Sequence, residues 1–317
     1  MSFYQKLPKP FFVLAPMDDV TDLVFRQIIN DLAQPDVYFT EFVNVDGLSS
    51  DGRNKLLHKL KYTNLGKPII AQIWGKEPSN FKKIATEVRN MGFDGIDLNM
   101  GCPDKTIVKN GCCSALINNR DLAKNIITST FEGAKGLPVS VKTRIGFNDI
   151  DMSWLDFLLD FELAGLTVHG RTKKQLSKTA ADWDVISHVR QLRDQKKVKT
   201  FIVGNGDVIT RKQGMMLAKK YQIDGIMIGR GVFSDPFVFS ENSLWKSYTT
   251  TQKIELFIKH IKLFDLTYSE NERSVYQLFK FAKLYINGFE GASDLRARIM
   301  SVNSSKKAIE ILNSSLA

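Results

Sequence analysis

Gly95-Ile-Asp-Leu-Asn-Met-Gly-Cys-Pro-Asp-Lys105 alternates Ile96, Leu98 and Met100 with Asp97 and Asn99, the period of a strand, and then turns at a Gly-Cys-Pro corner that presents a thiol. A polar-faced strand that delivers a cysteine to a loop reads as the edge of an active site. Working outward, short β-rich apolar runs recur at roughly thirty-residue intervals with amphipathic segments between them, the pattern of repeated βα units and a parallel sheet. The runs are Phe11–Met17, Val37–Val43, Pro68–Trp74, Gly95–Gly101, Pro138–Ile145, Leu166–Arg171, Lys199–Gly204 and Gly225–Gly229. Eight such runs predict a closed (β/α)8 TIM barrel. The competing doubly wound sheet lacks its Gly-rich fingerprint after the first run.

Helical periodicity is expected over Phe81–Asn90, Asp121–Phe131 and Trp183–Asp194. Beyond Asp235-Pro236, Ile254–Asp265, Val275–Tyr285 and Ala292–Met300 read as helices with no strands between them. Residues 1–241 are therefore expected to form the barrel and residues 242–317 a small helical domain. That domain carries Lys280, Lys283, Arg296, Arg298, Lys306 and Lys307, diluted by Glu270, Glu272, Glu290 and Asp294.

The chain of 317 residues has a formal charge of +10 and a pI near 9.3, a balance that favours polyanionic partners. Cys102, Cys112 and Cys113 are an odd number without a C-x-x-C pair, so neither a disulfide framework nor a cysteine zinc site is indicated. A reducing, cytoplasmic compartment is expected, with no metal. No window approaches the roughly 18 apolar residues of a membrane helix, and a soluble protein without a cleaved leader is expected.

In a (β/α)8 enzyme the site lies at the C-terminal ends of the strands. There the alternation places Ser140, Lys142 and Arg144 on one face of their run and Thr167, His169 and Arg171 on one face of theirs. Gln72, Asn99 and Asn205 join them at neighbouring strand ends. One Asn, Gln or His at such a place is ordinary, but five strands delivering polar groups to one end would be costly to bury without a ligand. Gly204-Asn-Gly-Asp207 and Gly229-Arg-Gly231 follow the seventh and eighth runs, where this barrel commonly cradles phosphate, and Arg230 adds charge. For Cys102, no Cys-His-Asn arrangement is evident; a thiol that stays protonated and donates its proton fits better, which calls for a pKa above the working pH. Cys112 and Cys113 read as inert loop residues.

Ala15-Pro-Met17, Ala71-Gln72, Asp97-Leu-Asn-Met-Gly-Cys-Pro103, Val141-Lys-Thr-Arg-Ile-Gly146, Val168-His-Gly-Arg-Thr172, Ala181-Asp-Trp183, Gly204-Asn-Gly-Asp-Val208 and Gly229-Arg-Gly231 together resemble the tRNA-dihydrouridine synthases. The resemblance runs in order from Phe12 to about Phe239. It implies an FMN-binding barrel, a C-terminal helical domain that helps hold tRNA, and NADPH as reductant; a monomer is expected. By the same resemblance, Gln72, Lys142, His169, Asn205, Gly206, Asp207, Gly229 and Arg230 would hold FMN, with Pro16 and Met17 lining its ring. Cys102 would be the general acid, and Asn99, Arg144 and Arg171 would lie beside the flipped uracil. The reaction implied is reduction of D-loop uridines to 5,6-dihydrouridine, hydride going to C6 and a proton from Cys102 to C5. The rival is a flavin barrel acting on a small molecule, such as a dihydroorotate-type dehydrogenase. The chain departs from the family pattern at Met17-Asp18-Asp19, where Met-Glu-Gly is usual, and at Cys113-Ser114, where glycine-alanine is. Cys113 puts that loop's backbone in question, because glycine there would permit a positive φ.

Overall fold

The computed structural model describes residues 2–316. Each expected run is a strand: β1 (Phe11–Leu14), β2 (Tyr38–Asn44), β3 (Ile69–Trp74), β4 (Gly95–Met100), β5 (Val139–Arg144), β6 (Gly165–His169), β7 (Phe201–Asn205) and β8 (Gly225–Ile228). All pair in parallel in the order β1-β8-β7-β6-β5-β4-β3-β2. The ring closes where Val13 bridges Val37, with Leu14 N–H donating to Val37 C=O at 3.1 Å and Asp36 N–H to Phe12 C=O at 2.8 Å. The fold is a TIM barrel.

Closure buries both faces of every strand. Phe11, Val13, Val37, Phe39, Ile70, Val203 and Met227 fill the interior, with Tyr4 at its closed end. The opposite faces, including Phe12, Leu14, Ile96, Leu98, Val141 and Val168, pack outward on the helices. Above the apolar interior, the inward positions of β3 to β7 become polar. Register aligns Gln72 with Asp97, Asp97 with Ser140, Asn99 with Lys142, Lys142 with Thr167, and His169 with Asn205.

Two expected runs end two or more residues early. β1 stops at Leu14, before Pro16; β6 stops at His169 because Gly170 N–H crosses to Asn205 C=O and Arg171 N–H turns back on His169 C=O at 2.7 Å. In β2 the register slips between Phe39 and Phe42. Such a bulge re-aims side chains: Thr40 Oγ1 accepts from Gln72 N–H at 3.1 Å, and Glu41 points toward the loop after β1.

The crossover helices are α1 (Leu23–Leu32), α2 (Pro78–Met91), α3 (Arg120–Ala134), α4 (Met152–Leu158), α5 (Trp183–Gln195) and α6 (Arg211–Tyr221). Polar caps start several of them: Asp22 accepts from Phe25 N–H at 2.8 Å, Asp182 from Val185 N–H and Thr210 from Gln213 N–H. Beyond the barrel lie α7 (Thr250–Thr267), begun by a Thr249/Gln252 capping box, then α8 (Ala292–Met300) and α9 (Ser305–Ser314). The single helix expected over Val275–Tyr285 is two short turns, Tyr276–Phe279 and Ala282–Tyr285, separated where Phe281 N–H bonds Leu278 C=O and Leu284 N–H bonds Phe281 C=O. Tightening there lets Leu278, Phe279, Phe281, Ala282, Leu284 and Tyr285 all bury, more than one face of a regular helix accommodates. This helical region packs on α1, with Phe281 stacked on Phe25 at 5.2 Å, and the apolar core runs continuously through both. Among the described residues no helix is long and apolar enough to cross a membrane.

Candidate active site

A cavity of about 390 Å³ opens at the C-terminal end of β1 and β5 to β8. Its wall contains Pro16, Met17, Lys142, His169, Asn205, Gly206, Asp207, Gly229 and Arg230, nine of the residues expected to hold a cofactor, together with Arg171. Gly231, in the expected phosphate turn, also lines it, while sequence reasoning assigned no role to Ala15, Val208, Ile209, Met227 and Ser234. Their signal was positional, since all flank the strand ends and glycine turns already singled out. The two turns differ in why they are glycine. Gly206 adopts φ +135°, and a Cβ there would meet Ala181 at 2.5 Å. Gly229 has an ordinary backbone, and a Cβ would make only normal contacts with Ala15 and Met17, so it would project into the cavity and shrink it. That is the cradle expected for a group packed against the main chain.

Charge converges on this cavity. Arg171, almost fully buried, donates to both oxygens of Asp207 at 2.6 and 2.5 Å and to Thr179 C=O, and its NH1 lies 3.3 Å from His169 Nε2. A guanidinium only donates, so Nε2 accepts and the ring proton resides on Nδ1. Burial, then Lys142, Arg144, Arg171 and Arg230, drive His169 down to about 2, which keeps it neutral. Arg230 is mostly exposed and stands 3.8 Å from Asp207. Burial and the nearby Arg144 lower Lys142 to about 8, with Asp97 acting in the opposite direction. Four cationic side chains around a neutral histidine suit an anionic, phosphate-bearing ligand.

The other expected residues form a second layer. Gln72, fully buried, donates through Nε2 to Asp97 at 2.7 Å and accepts from Asn99 Nδ2 at 3.0 Å; it does not line the cavity. Ser140 Oγ also donates to Asp97 at 2.6 Å, while burial raises that carboxyl to about 6. Asn99 Oδ1 accepts from the N–H groups of Gly101 (3.1 Å) and Cys102 (3.0 Å). A continuous chain of hydrogen bonds thus runs from Asp97 through Gln72 and Asn99 to the backbone that carries the thiol. Arg144 packs against the same loop, its Nε donating to Gly101 C=O at 2.8 Å and its NH1 to Thr172 and Leu176 C=O at 3.1 Å.

Cys102 is half-buried, and its pKa is lowered to about 7, first by a hydrogen bond from Cys113, against the opposing effect of burial, and further by the backbone N–H of Asp104 and by Arg144. This differs from the expectation of a thiol with its pKa above working pH. The chief cause is Cys113, read as inert, which is fully buried; Ser114 Oγ also donates to Cys102 C=O at 2.8 Å.

The dihydrouridine synthase (Dus) family profile matches residues 13–316. This chain belongs to the dihydrouridine synthase family. A probable tRNA-dihydrouridine synthase of Staphylococcus aureus (strain COL) is 41% identical over 315 residues, 98% of this chain and 95% of that protein. Probable tRNA-dihydrouridine synthase 2 of Bacillus subtilis (strain 168) is 40% identical over 98% of this chain and 96% of its own. Among solved structures, a variant of NCR from Zymomonas mobilis shares the fold, with a TM-score of 0.51 at 16% identity over 74% of this chain and 89% of that one. Both departures from the dihydrouridine synthase pattern fall on left-handed backbone, Asp19 at φ +55° and Cys113 at φ +52°. The loops keep a glycine-like geometry with a side chain in place of the glycine, and the Asp19 carboxylate reaches Arg273 at 3.6 Å. The carboxylates of Asp18, Asp19 and Glu41 lie within 4.8 Å of one another, where Lys59 and Arg273 pair with them.

Proposed function

We propose that this protein reduces uridines of the tRNA D-loop to 5,6-dihydrouridine with FMN in the cavity and NADPH as the reductant of the flavin. The observation that carries the reading is the cavity itself: a dihydrouridine synthase barrel mouth with a cationic wall, a glycine cradle and a thiol loop anchored to the same strands. The fit to FMN rests on three features. Gly229 leaves room against the main chain, the mostly exposed Arg230 on the cavity wall is held only by a long 3.8 Å pair with Asp207 and can meet a phosphate, and buried Lys142 lines the cavity with a charge that an anionic ring edge would satisfy. When bound, FMN supplies the hydride that adds at C6 of uracil.

The protein's own groups do the rest. Hydride addition at C6 leaves negative charge spread over C5, C4 and O4 of the base, and the thiol of Cys102 delivers the proton to C5. Asn99 fixes the Gly101-Cys102 backbone and so the direction of that thiol. Arg144 and Arg171, held on backbone carbonyls and Asp207, keep cationic charge beside the reacting base. The uridine reaches the barrel mouth by leaving its stack, at the usual cost of a few kcal/mol for base flipping. In this reading residues 1–241 are the catalytic barrel, and residues 242–317 hold the body of the tRNA.

The test is reconstitution with FMN followed by NADPH and tRNA that lacks dihydrouridine. Flavin absorbance on the purified protein and a two-dalton gain at D-loop uridines are expected. A folded protein that takes up no FMN, or that takes it up and consumes NADPH only with small unsaturated substrates, overturns the reading.

A further inference from the structure

Arg273 follows α7, yet its guanidinium is buried against the barrel mouth, 2% exposed. NH1 donates to Glu41 at 2.9 Å, Nε lies 3.5 Å from Asp22, and NH2 lies 3.6 Å from Asp19. Glu41 is fully buried and Asp22 nearly so, while Asp19 is half-exposed. Nε of Arg273 has no hydrogen-bond partner among the described residues, so the cation is held by charge from several carboxylates and not by one ideal fork. Tyr268 stacks on the guanidinium at 5.7 Å and accepts from Leu23 N–H at 3.2 Å.

The carboxylates all belong to the segment that turns β1 into α1, or to the bulge of β2 that braces it. Glu41 accepts from Asp19 N–H at 2.6 Å, which stabilises the left-handed conformation of Asp19. Two residues earlier, Met17 lines the cavity, and the turn between is closed by Thr21 Oγ1, which accepts from Met17 N–H at 2.9 Å and donates to Met17 C=O at 3.1 Å. A buried ion cluster is weak evidence of stability for its own sake, since apolar packing often serves as well. What such a cluster supplies is geometry: one cation satisfied by three carboxylates has few alternative positions.

We infer that Arg273 is a positioning residue that registers the helical region against the β1–α1 turn at the cavity mouth, so that a bound tRNA meets the cavity at one angle. The inference rests on the proposed tRNA reaction for its functional meaning, but the registration itself does not. Lys61, which pairs with Glu272 at 2.7 Å, and Lys259, which pairs with Asp31 at 2.7 Å, lie in the same interface but are too exposed to define a direction.

The experiment uses the full FMN-loaded chain carrying Arg273→Met, with Arg273→Lys as the conservative control. Expected are unchanged flavin content, a tRNA KM raised roughly tenfold with kcat less affected, and dihydrouridine spread to uridines the parent leaves untouched, with partial recovery in Arg273→Lys. A lowered melting temperature with unchanged KM and unchanged site pattern would make Arg273 merely structural and overturn the inference. Should Arg273→Met not fold, Asp19→Asn removes one charge at the half-exposed end while tolerating the left-handed backbone, and must shift KM and site pattern the same way, less strongly; no shift overturns the inference. If the parent forms no dihydrouridine at all, the proposed function falls, and hydrogen exchange decides the registration alone. Coupled deprotection of Val20-Thr21 and residues 275–285 in Arg273→Met upholds it, and deprotection confined to residues 275–285 overturns it.

Discussion

The pKa of Cys102 is lowered to about 7, chiefly by Cys113, and in the proposed reaction Cys102 delivers the proton. Replacing Cys102 by Ala is expected to leave folding and FMN uptake intact and to lower dihydrouridine formation by about 10² to 10⁴-fold, the usual contribution of a positioned acid, measured by single-turnover mass spectrometry. Because the acid form is lost as pH rises through about 7, turnover is expected to decline on the alkaline side. Cys113→Gly removes the donated hydrogen bond and should move that decline to higher pH. It also relieves the left-handed backbone, so its melting temperature should not fall; thiol alkylation rates against pH read the shift directly. Lys142 behaves in a complementary way. Burial lowers it to about 8, so its cation is lost as pH rises through that value, and FMN affinity should weaken there in a fluorescence titration; Lys142→Met should bind weakly at every pH. At this scale the sequence disclosed which residues share the barrel mouth, since alternation alone sorts Lys142, His169 and Asn205 inward. It did not disclose the thiol pair, because Cys113 reaches Cys102 only through a loop geometry that no period encodes. Nor could it separate Gln72 and Asn99, which bond one another below the mouth, from the residues that line the cavity.

At the scale of elements, the eight strands were readable because both of their faces are buried, which makes each a compact β-branched run between turns. α6 is harder to see, since it buries only Gly214 and Ala218 and so carries almost no apolar stripe. α1 had a visible start at Asp22, but its buried face includes Arg26, which donates to Thr21 C=O at 2.5 Å and Lys61 C=O at 2.6 Å and disguises the pattern. The bulge in β2 has no sequence mark, yet it aims Glu41. Two substitutions separate cradle from scaffold. Gly229→Val should fold with a near-parental melting temperature but lose FMN affinity, because its side chain enters the cavity. Phe25→Ala, at the contact between α1 and the helical region, should cost about 3–5 kcal/mol in chemical denaturation, as large core truncations do.

Across the whole molecule, a charge of +10 is spread over a barrel whose mouth is cationic and a helical region whose lysines face outward. Binding of tRNA through phosphates would release counterions, so log affinity should fall linearly with log salt, by roughly 0.7–0.9 per phosphate contacted. A shallow response would indicate a small-molecule substrate. Composition announced a polyanionic partner; the way the two regions meet, through Arg273 and the β1–α1 turn, depends on contacts between residues more than two hundred positions apart and was beyond any local pattern. The measurement that bears most directly on the account is mass-spectrometric mapping of tRNA lacking dihydrouridine after incubation with the FMN-loaded protein and NADPH. Two daltons gained at D-loop uridines, lost with Cys102→Ala, is the predicted result. Unaltered tRNA from a protein that binds FMN and is reduced by NADPH would contradict it.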